Sequence, residues 1–260
     1  MDKKFNLSIV QKISLAGILI VLVTICQKIL AVNYISVIPF VRVSFFGPAL
    51  IIFSSIILGP WFGLLVGAAS DLLGFFVFDP KLFGSIPFFQ ITLIYALLGF
   101  VSYFVYNLVF KIKSKKLMVG IEGTIFFLLL LGITLYINLT DSITLYGTTH
   151  YFTLGQRILI PIITFILLSL IFAIVVFIDK KAKKKPEDYS IYHISFASFI
   201  VEMSVMLIFA TAMKTWAFGS TTFIAIFISQ ILVSFFNITL NTFFLFYIID
   251  LSKRLLRRGV

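Results

Sequence analysis

Apolar stretches long enough to cross a membrane recur along this chain and account for most of its length. A helix needs about 20 residues to cross roughly 30 Å of hydrocarbon. About eight such stretches can be placed, approximately at 13–31, 43–58, 61–78, 88–110, 119–138, 158–178, 191–213 and 222–251. With 61% hydrophobic and 12% charged residues, the chain has about half the charge of a soluble domain. The sequence predicts an all-α, polytopic helical membrane protein.

Basic residues cluster in alternate loops, and this sets the predicted orientation. They lie before the first stretch, after the fourth, after the sixth and at the end of the chain. The clusters are Lys3, Lys4, Lys12, Lys111, Lys113, Lys115, Lys116, Lys180, Lys181, Lys183, Lys184, Lys185, Lys253, Arg254, Arg257 and Arg258. Cytoplasmic loops of membrane proteins carry such an excess. Both termini are therefore predicted to be cytoplasmic, and the net charge of +11 reflects this topology in the lipid bilayer rather than binding of nucleic acid.

One charged segment divides the chain. The run DKKAKKKPEDY, from Asp179 to Tyr189, combines charges with a proline between two apolar stretches. It predicts a six-helix unit over residues 1–180, a cytoplasmic linker over 181–190 and an extra C-terminal two-helix hairpin over 191–260.

Few residues are suited to metal, redox or nucleotide chemistry. Cys26 is the single cysteine, and the two histidines, His150 and His193, lie in different predicted loops. No phosphate-binding GxxxxGK[ST] loop, GxSxG or HExxH motif occurs. The sequence predicts no metal site, no cofactor and no enzymatic activity, so the energy for any transport must come from elsewhere.

Asp71 is the most informative single residue. A carboxylate near the middle of a membrane helix costs roughly 2.5–3.5 kcal/mol on insertion scales, so it usually has a compensating partner. Gly67, Ala68, Ala69 and Ser70 precede it, and small residues allow a neighbouring helix to approach closely. Three interpretations follow: a structural hydrogen bond to that helix, direct contact with a ligand, or a proton relay.

Arg42 and the loops of the outer, non-cytoplasmic side give a second set of candidates. Arg42 either extends to the membrane interface or presents its guanidinium to an acidic group of a ligand. The outer loops combine aromatic and hydrogen-bonding residues, as a pocket for a planar polar molecule requires, although an aromatic interface belt has the same composition. Of the other acidic residues near the stretches, Glu122 is expected to reach water and Glu202 to meet a hydroxyl or a lysine.

Three motifs resemble those of a known family. They are RVSF at Arg42–Phe45, GPWFGLLVGAASDLLG from Gly59 to Gly74, and a segment with Asn138, Thr140, Tyr146-Gly147, Phe152 and Arg157–Ile162. Together they resemble the substrate-binding S components of energy-coupling factor (ECF) vitamin transporters, closest to the folate group. The outer loop Ile86–Thr92 lacks the glycine usual there, which leaves other vitamins open: riboflavin, pantothenate, niacin or cobalamin.

The resemblance implies a function and a set of partners. It implies a membrane subunit that captures a folate-like vitamin from outside and joins a transmembrane coupling subunit and two cytoplasmic ATPase subunits. The implied substrate-binding residues are Arg42, Asp71, Gln90, Thr92, Asn138, Thr140, Tyr146, Tyr151 and Arg157. Arg42 would contact an acidic group, Gln90/Thr92 and Asn138/Thr140 would hydrogen-bond the ligand, and the tyrosines would wall it. Asp71 would hold the second and fourth helices in register or reach the ligand from below.

Partner docking and alternative functions complete the expectations. A small-residue patch on the first helix, Ser14, Ala16 and Gly17, suits either docking to the coupling subunit or packing within the chain. The alternative function is a proton-coupled secondary transporter in which Asp71 or Glu202 titrates. A membrane-embedded enzyme or structural subunit is a third possibility.

Overall fold

The computed structural model describes residues 7–30, 32–35, 38–43, 46–78, 89–145, 148–182, 190–218 and 223–258. Within these ranges eight helical bodies follow one another. The first six are α1 (Ile9–Lys28), α2 (Gly47–Leu58), α3 (Pro60–Phe78), α4 (Phe89–Val109), α5 (Lys115–Leu139) and α6 (Leu154–Ala182). The seventh body is continuous and consists of α7 (Ile191–Val201), a π-helical segment (Glu202–Phe209) and α8 (Ala210–Phe218). The eighth is α9 (Phe223–Arg258). Seven of the bodies are long and apolar enough to cross a membrane. The predicted helical membrane fold is confirmed.

The second helix is shorter than its apolar stretch predicts. The stretch begins at residue 43, but α2 begins only at Gly47 and has 12 residues, which span about 18 Å at 1.5 Å per residue. Every residue of α2 is buried. It is therefore a core helix shielded by its neighbours, and it does not cross the membrane by itself.

The third and fourth helices are in backbone contact at glycines. A Cβ at Gly63 would lie 2.7 Å from the carbonyl oxygen of Gly99, and a Cβ at Gly67 would overlap the carbonyl of Tyr95. Gly63, Gly67 and Asp71 are spaced four residues apart and so share one face of α3. The glycine spacing that leads to Asp71 thus fixes the register of α3 on α4.

Two loops of the outer side form β-hairpins, which the helical pattern did not predict. Strand β1 (Val32–Ile35) pairs antiparallel with β2 (Ile38–Val43), and β3 (Ser142–Leu145) pairs with β4 (Thr148–Tyr151). In the second hairpin Leu145 is opposite Thr148, on either side of Tyr146-Gly147. These strands are rich in β-branched residues, which favour extended backbone.

The C-terminal hairpin lies at the centre of the bundle. In each of its two helical bodies 72% of the residues in the membrane-length stretch are buried, against 22–33% in the other five spans. α7 packs on α4 and α5, and α9 packs on α2 and α6. Residues 191–258 therefore connect the group formed by α1–α4 to the pair formed by α5 and α6.

Candidate functional site at the outer helix ends

Several helices end at the depth of Asp71. α2 and α3 meet at Gly59, and Gly47 and Asp71 are each 12 residues from that turn. The last turn of α1 lies beside the same part of α3, because Thr24 Oγ1 donates a hydrogen bond to the carbonyl of Ser70 at 3.1 Å. α4 begins at Phe89, three residues before Thr92, which is the hydrogen-bond partner of Asp71. Asp71 is thus in the middle of its own helix but level with the outer ends of three others.

Asp71 is hydrogen-bonded to Thr92. The Thr92 hydroxyl donates to Asp71 Oδ2 at 2.6 Å, and both residues are half-buried. The predicted link between the second and fourth helices is wrong in one respect, since Asp71 joins the third helix to the fourth. The close α3–α4 contact explains the pairing, because glycines one and two turns away bring the two backbones together.

Lys28 lies over the same part of α3. Its Cε is 2.7 Å from the position that a Cβ at Gly74 would occupy, so glycine leaves the space that the lysine stem fills. Gly74 and Asp71 are three residues apart and are neighbours on the helix surface. A cationic side chain from α1 therefore reaches the neighbourhood of Asp71, a role that sequence reasoning did not assign to Lys28.

Aromatic side chains of α4 and the C-terminal hairpin meet beside this group. Phe89 and Trp216 form an edge-to-face pair with ring centroids 5.6 Å apart, and both rings are more than half exposed. Gln90 is half-buried and directly follows Phe89. Trp216 was not among the predicted site residues, because it lies outside the six-helix unit in which the site was expected.

A second polar group joins the ends of α5 and α6. Arg157 donates from Nη1 to the carbonyl of Asn138 at 2.9 Å and from Nη2 to Asp141 Oδ1 at 2.7 Å. The Asn138 amide donates to the carbonyl of Thr134 at 2.8 Å, and Thr140 is the C-cap residue of α5. The structure thus gives Arg157 a local role, holding the base of the β3–β4 hairpin.

The remaining predicted ligand residues are placed only in part. Tyr151, at the end of β4, is 73% exposed. Arg42 is paired with Asn33 in the β1–β2 ladder, but its side chain lies outside the described residues, as does Tyr146. Their predicted roles stay predictions.

α9 contacts both outer hairpins and helices on both sides of the bundle. Its contacts include β2 of the first outer hairpin and β3 of the second, as well as α2 and α6. The Asp71–Thr92 group belongs to α3 and α4, whereas Arg157 and Asn138 belong to α6 and α5.

The three residues of the predicted docking patch on α1 do not share one exposed surface. Ser14 and Gly17 face outward, and a Cβ at Gly17 would meet no atom within 4 Å. Ala16 instead packs in the core, with 7% of its surface exposed. Only Ser14 and Gly17 are placed so that another protein or lipid can reach them.

Two acidic residues differ from their expectations. Glu122 was expected to reach water, but it is buried and accepts a hydrogen bond from Ser195 at 3.0 Å. Glu202 was expected to meet a hydroxyl or a lysine, yet Asn241 of α9 donates to its Oε1 at 2.8 Å. In both cases the partner is a residue that the C-terminal hairpin supplies. Among the described residues, no cluster of three His, Cys, Asp or Glu side chains is suited to a metal ion.

Comparison with known families gives one match. The sequence model of the family described as ECF transporter, substrate-specific component, matches residues 11–178. Neither the curated proteins nor the solved structures include a match to the chain. The matched region covers α1 through most of α6, including both polar groups, and stops before the C-terminal hairpin.

Proposed function

The chain belongs to the substrate-specific components of ECF transporters, and from this premise we propose that it captures a folate-like vitamin at its outer side. The family is a transporter-subunit family whose members bind a substrate in the membrane and work with coupling and ATPase partners. It is not an enzyme family. Folate, or another vitamin of similar chemistry, is the finer proposal.

The observation that supports an outer site is the depth of the Asp71–Thr92 pair. A carboxylate and a hydroxyl at 2.6 Å form a polar group that is level with the outer ends of α1, α2 and α4. The Thr92 hydroxyl hydrogen is already donated to Asp71, so the pair offers a ligand acceptors: the carboxylate and the hydroxyl oxygen. Lys28, Gln90 and the Phe89–Trp216 pair lie at the same helix ends, so charge, hydrogen bonding and aromatic surface are available together.

Arg42 is proposed to contact an acidic group of the vitamin. Its backbone lies on β2, next to α2 in the chain and packed against α9. A guanidinium binds a carboxylate through two parallel hydrogen bonds. Tyr146 and Tyr151, on the second outer hairpin, are proposed to cover the ring system of the ligand, with Asn138 and Thr140 beneath them.

The first experiment is to identify the small molecule that co-purifies with the protein. Release by denaturation, followed by absorption spectroscopy and mass spectrometry, distinguishes pterin, flavin and cobalamin. Binding of folic acid is then measured in detergent for the wild type, for Arg42→Ala and for the control Lys12→Ala on the cytoplasmic side. Arg42→Ala is expected to weaken binding at least about tenfold, the value of one charged hydrogen bond.

Two results would contradict the proposal. Unchanged affinity in Arg42→Ala would remove this residue from the site. Proton-driven accumulation of substrate by the purified protein alone in liposomes would instead favour a secondary transporter, because a substrate-specific component depends on ATPase partners for transport.

A further inference from the structure

The centre of the C-terminal hairpin contains a polar array that the proposed function does not use. Ser195, Ser198 and Glu202 recur every three or four residues and so share one face of the seventh helical body. Each contacts a different helix. Ser195 binds Glu122 of α5, Ser198 binds Tyr106 of α4 at 2.8 Å, and Glu202 binds Asn241 of α9.

Glu202 is the best shielded acidic residue of this array. Its relative exposure is 0%, its Oε1 accepts from Asn241, and its Oε2 has no hydrogen-bond partner among the described residues. A second amide, Asn237, faces the same carboxyl group. Two further buried hydroxyls on α9, Ser234 and Thr242, also lack a partner within the described part of the chain.

The helix changes its geometry at this residue. The π-helical segment starts at Glu202 and runs to Phe209. Such segments shift the backbone hydrogen bonds from their usual partners and occur often at functional sites. The π-helical segment thus begins at the residue whose carboxyl oxygen Oε2 has no hydrogen-bond partner among the described residues.

We propose that Glu202 is the centre of an internal binding site for one monovalent cation, a proton or a sodium ion, supplied from solution. An ionised carboxylate this deep in a membrane protein needs a compensating positive charge. Asn237 and Asn241 on α9 are neutral, and the titratable group that α4 brings to it is Tyr106. Carboxylate and side-chain amide oxygens are ligands that suit small hard cations.

The position of the site couples its occupant to the packing of the hairpin. Glu202 and Asn241 belong to the two helical bodies of the hairpin, so loss of the cation leaves an uncompensated charge at their interface. α9, which supplies Asn241, also contacts β2 and β3 of the two outer hairpins. This inference does not depend on which substrate the outer site binds.

The test measures thermal stability of the full-length protein in detergent. Wild type, Glu202→Gln and the control Glu122→Gln are unfolded across pH 5.5 to 9 in choline chloride, and at the alkaline end also in sodium chloride. If a proton is the ligand, the melting temperature Tm of the wild type falls by at least about 4 °C as the pH rises, because deprotonation leaves a buried charge. If sodium is the ligand, sodium chloride raises Tm relative to choline chloride by a similar amount.

The variants determine whether Glu202 is responsible. Glu202→Gln, which is neutral at every pH, is expected to lose most of the dependence, and Glu122→Gln is expected to keep most of it. A wild-type Tm that is the same in all conditions would overturn the proposal, as would an equal dependence in Glu202→Gln. If Glu202→Gln does not fold, Glu202→Asp replaces it. A shifted pH or sodium midpoint in Glu202→Asp supports the site, and an unshifted midpoint overturns it.

Discussion

Asp71 and Glu202 are both acidic residues in membrane helices, and each binds a polar side chain of a neighbouring helix, yet they differ in access to solvent. Asp71 is half-buried at the depth where three helices end, and Thr92 donates to it. Glu202 is fully buried between α7 and α9, and Asn241 donates to it. Burial makes a polar contact harder to lose, so the first pair is suited to exchange with a ligand and the second to holding helices together.

The largest expected effect is on the contact that creates the Asp71–Thr92 pair. Gly67→Ala places a Cβ against the carbonyl of Tyr95, and backbone cannot move aside as a flexible side chain can. We expect a loss of about 3 kcal/mol in the free energy of unfolding, the upper part of the range for overpacking. Thermal unfolding in detergent measures it.

The control for this variant is the same substitution on another helix. Gly120 on α5 has no atom within 4 Å of an added Cβ, so Gly120→Ala should leave stability unchanged or slightly raise it, because alanine favours a helix. Equal losses in both variants would show that the close α3–α4 approach is not what the glycine provides.

Much of the fold could be predicted from the sequence, and the α3–α4 contact shows why. Helix positions follow from the length of the apolar stretches. The spacing of Gly63 and Gly67 indicates the contact directly, because residues without a side chain allow two backbones to touch. Asp71 follows Gly67 at the same four-residue spacing. Capping signals also act locally, as in α1, where Ser8 and Gln11 form a reciprocal capping box.

The parts that could not be predicted depend on burial within the membrane. Lipid and protein interior are equally apolar, so an apolar helix gives no sign of which one it faces. The central position of α7 and α9, and the full burial of the short α2, were therefore not evident. For the same reason Glu202 and Glu122 were assigned other surroundings, and Trp216 was left out of the site.

The next largest effect compares the Glu202–Asn241 pair directly with the Asp71–Thr92 pair. Asn241→Leu removes the donor to Glu202 Oε1 and is expected to cost about 2 kcal/mol, because a buried acceptor then has no partner. Thr92→Val removes the equivalent donor to Asp71 and is expected to cost less than about 1 kcal/mol, because water can replace it there. Chemical or thermal unfolding of both variants gives the comparison, and equal costs would contradict the difference in access.

A smaller effect concerns binding at the outer pair. Asp71→Ala is expected to weaken the affinity for folic acid, or for the vitamin that co-purifies, by about tenfold, corresponding to roughly 1.4 kcal/mol. Isothermal titration in detergent measures it, with Asp179→Ala on the cytoplasmic side as the matched control. Asp179 is paired with Lys115 at 3.7 Å, so its removal is a loss of one carboxylate away from the site. An unaffected Asp71→Ala would leave Asp71 with a purely structural role.

The smallest effect is expected at a third acidic residue, Asp141, which extends the comparison to a side chain that is exposed to solvent. Asp141 accepts from Arg157 at 2.7 Å, but its side chain is 92% exposed. Exposed ion pairs contribute between about 0 and 1 kcal/mol, because water and salt compete for both charges. Asp141→Asn should therefore change stability by less than about 1 kcal/mol, and raising the salt concentration should reduce the difference further. A loss as large as that of Asn241→Leu would mean that solvent access does not determine the strength of these contacts.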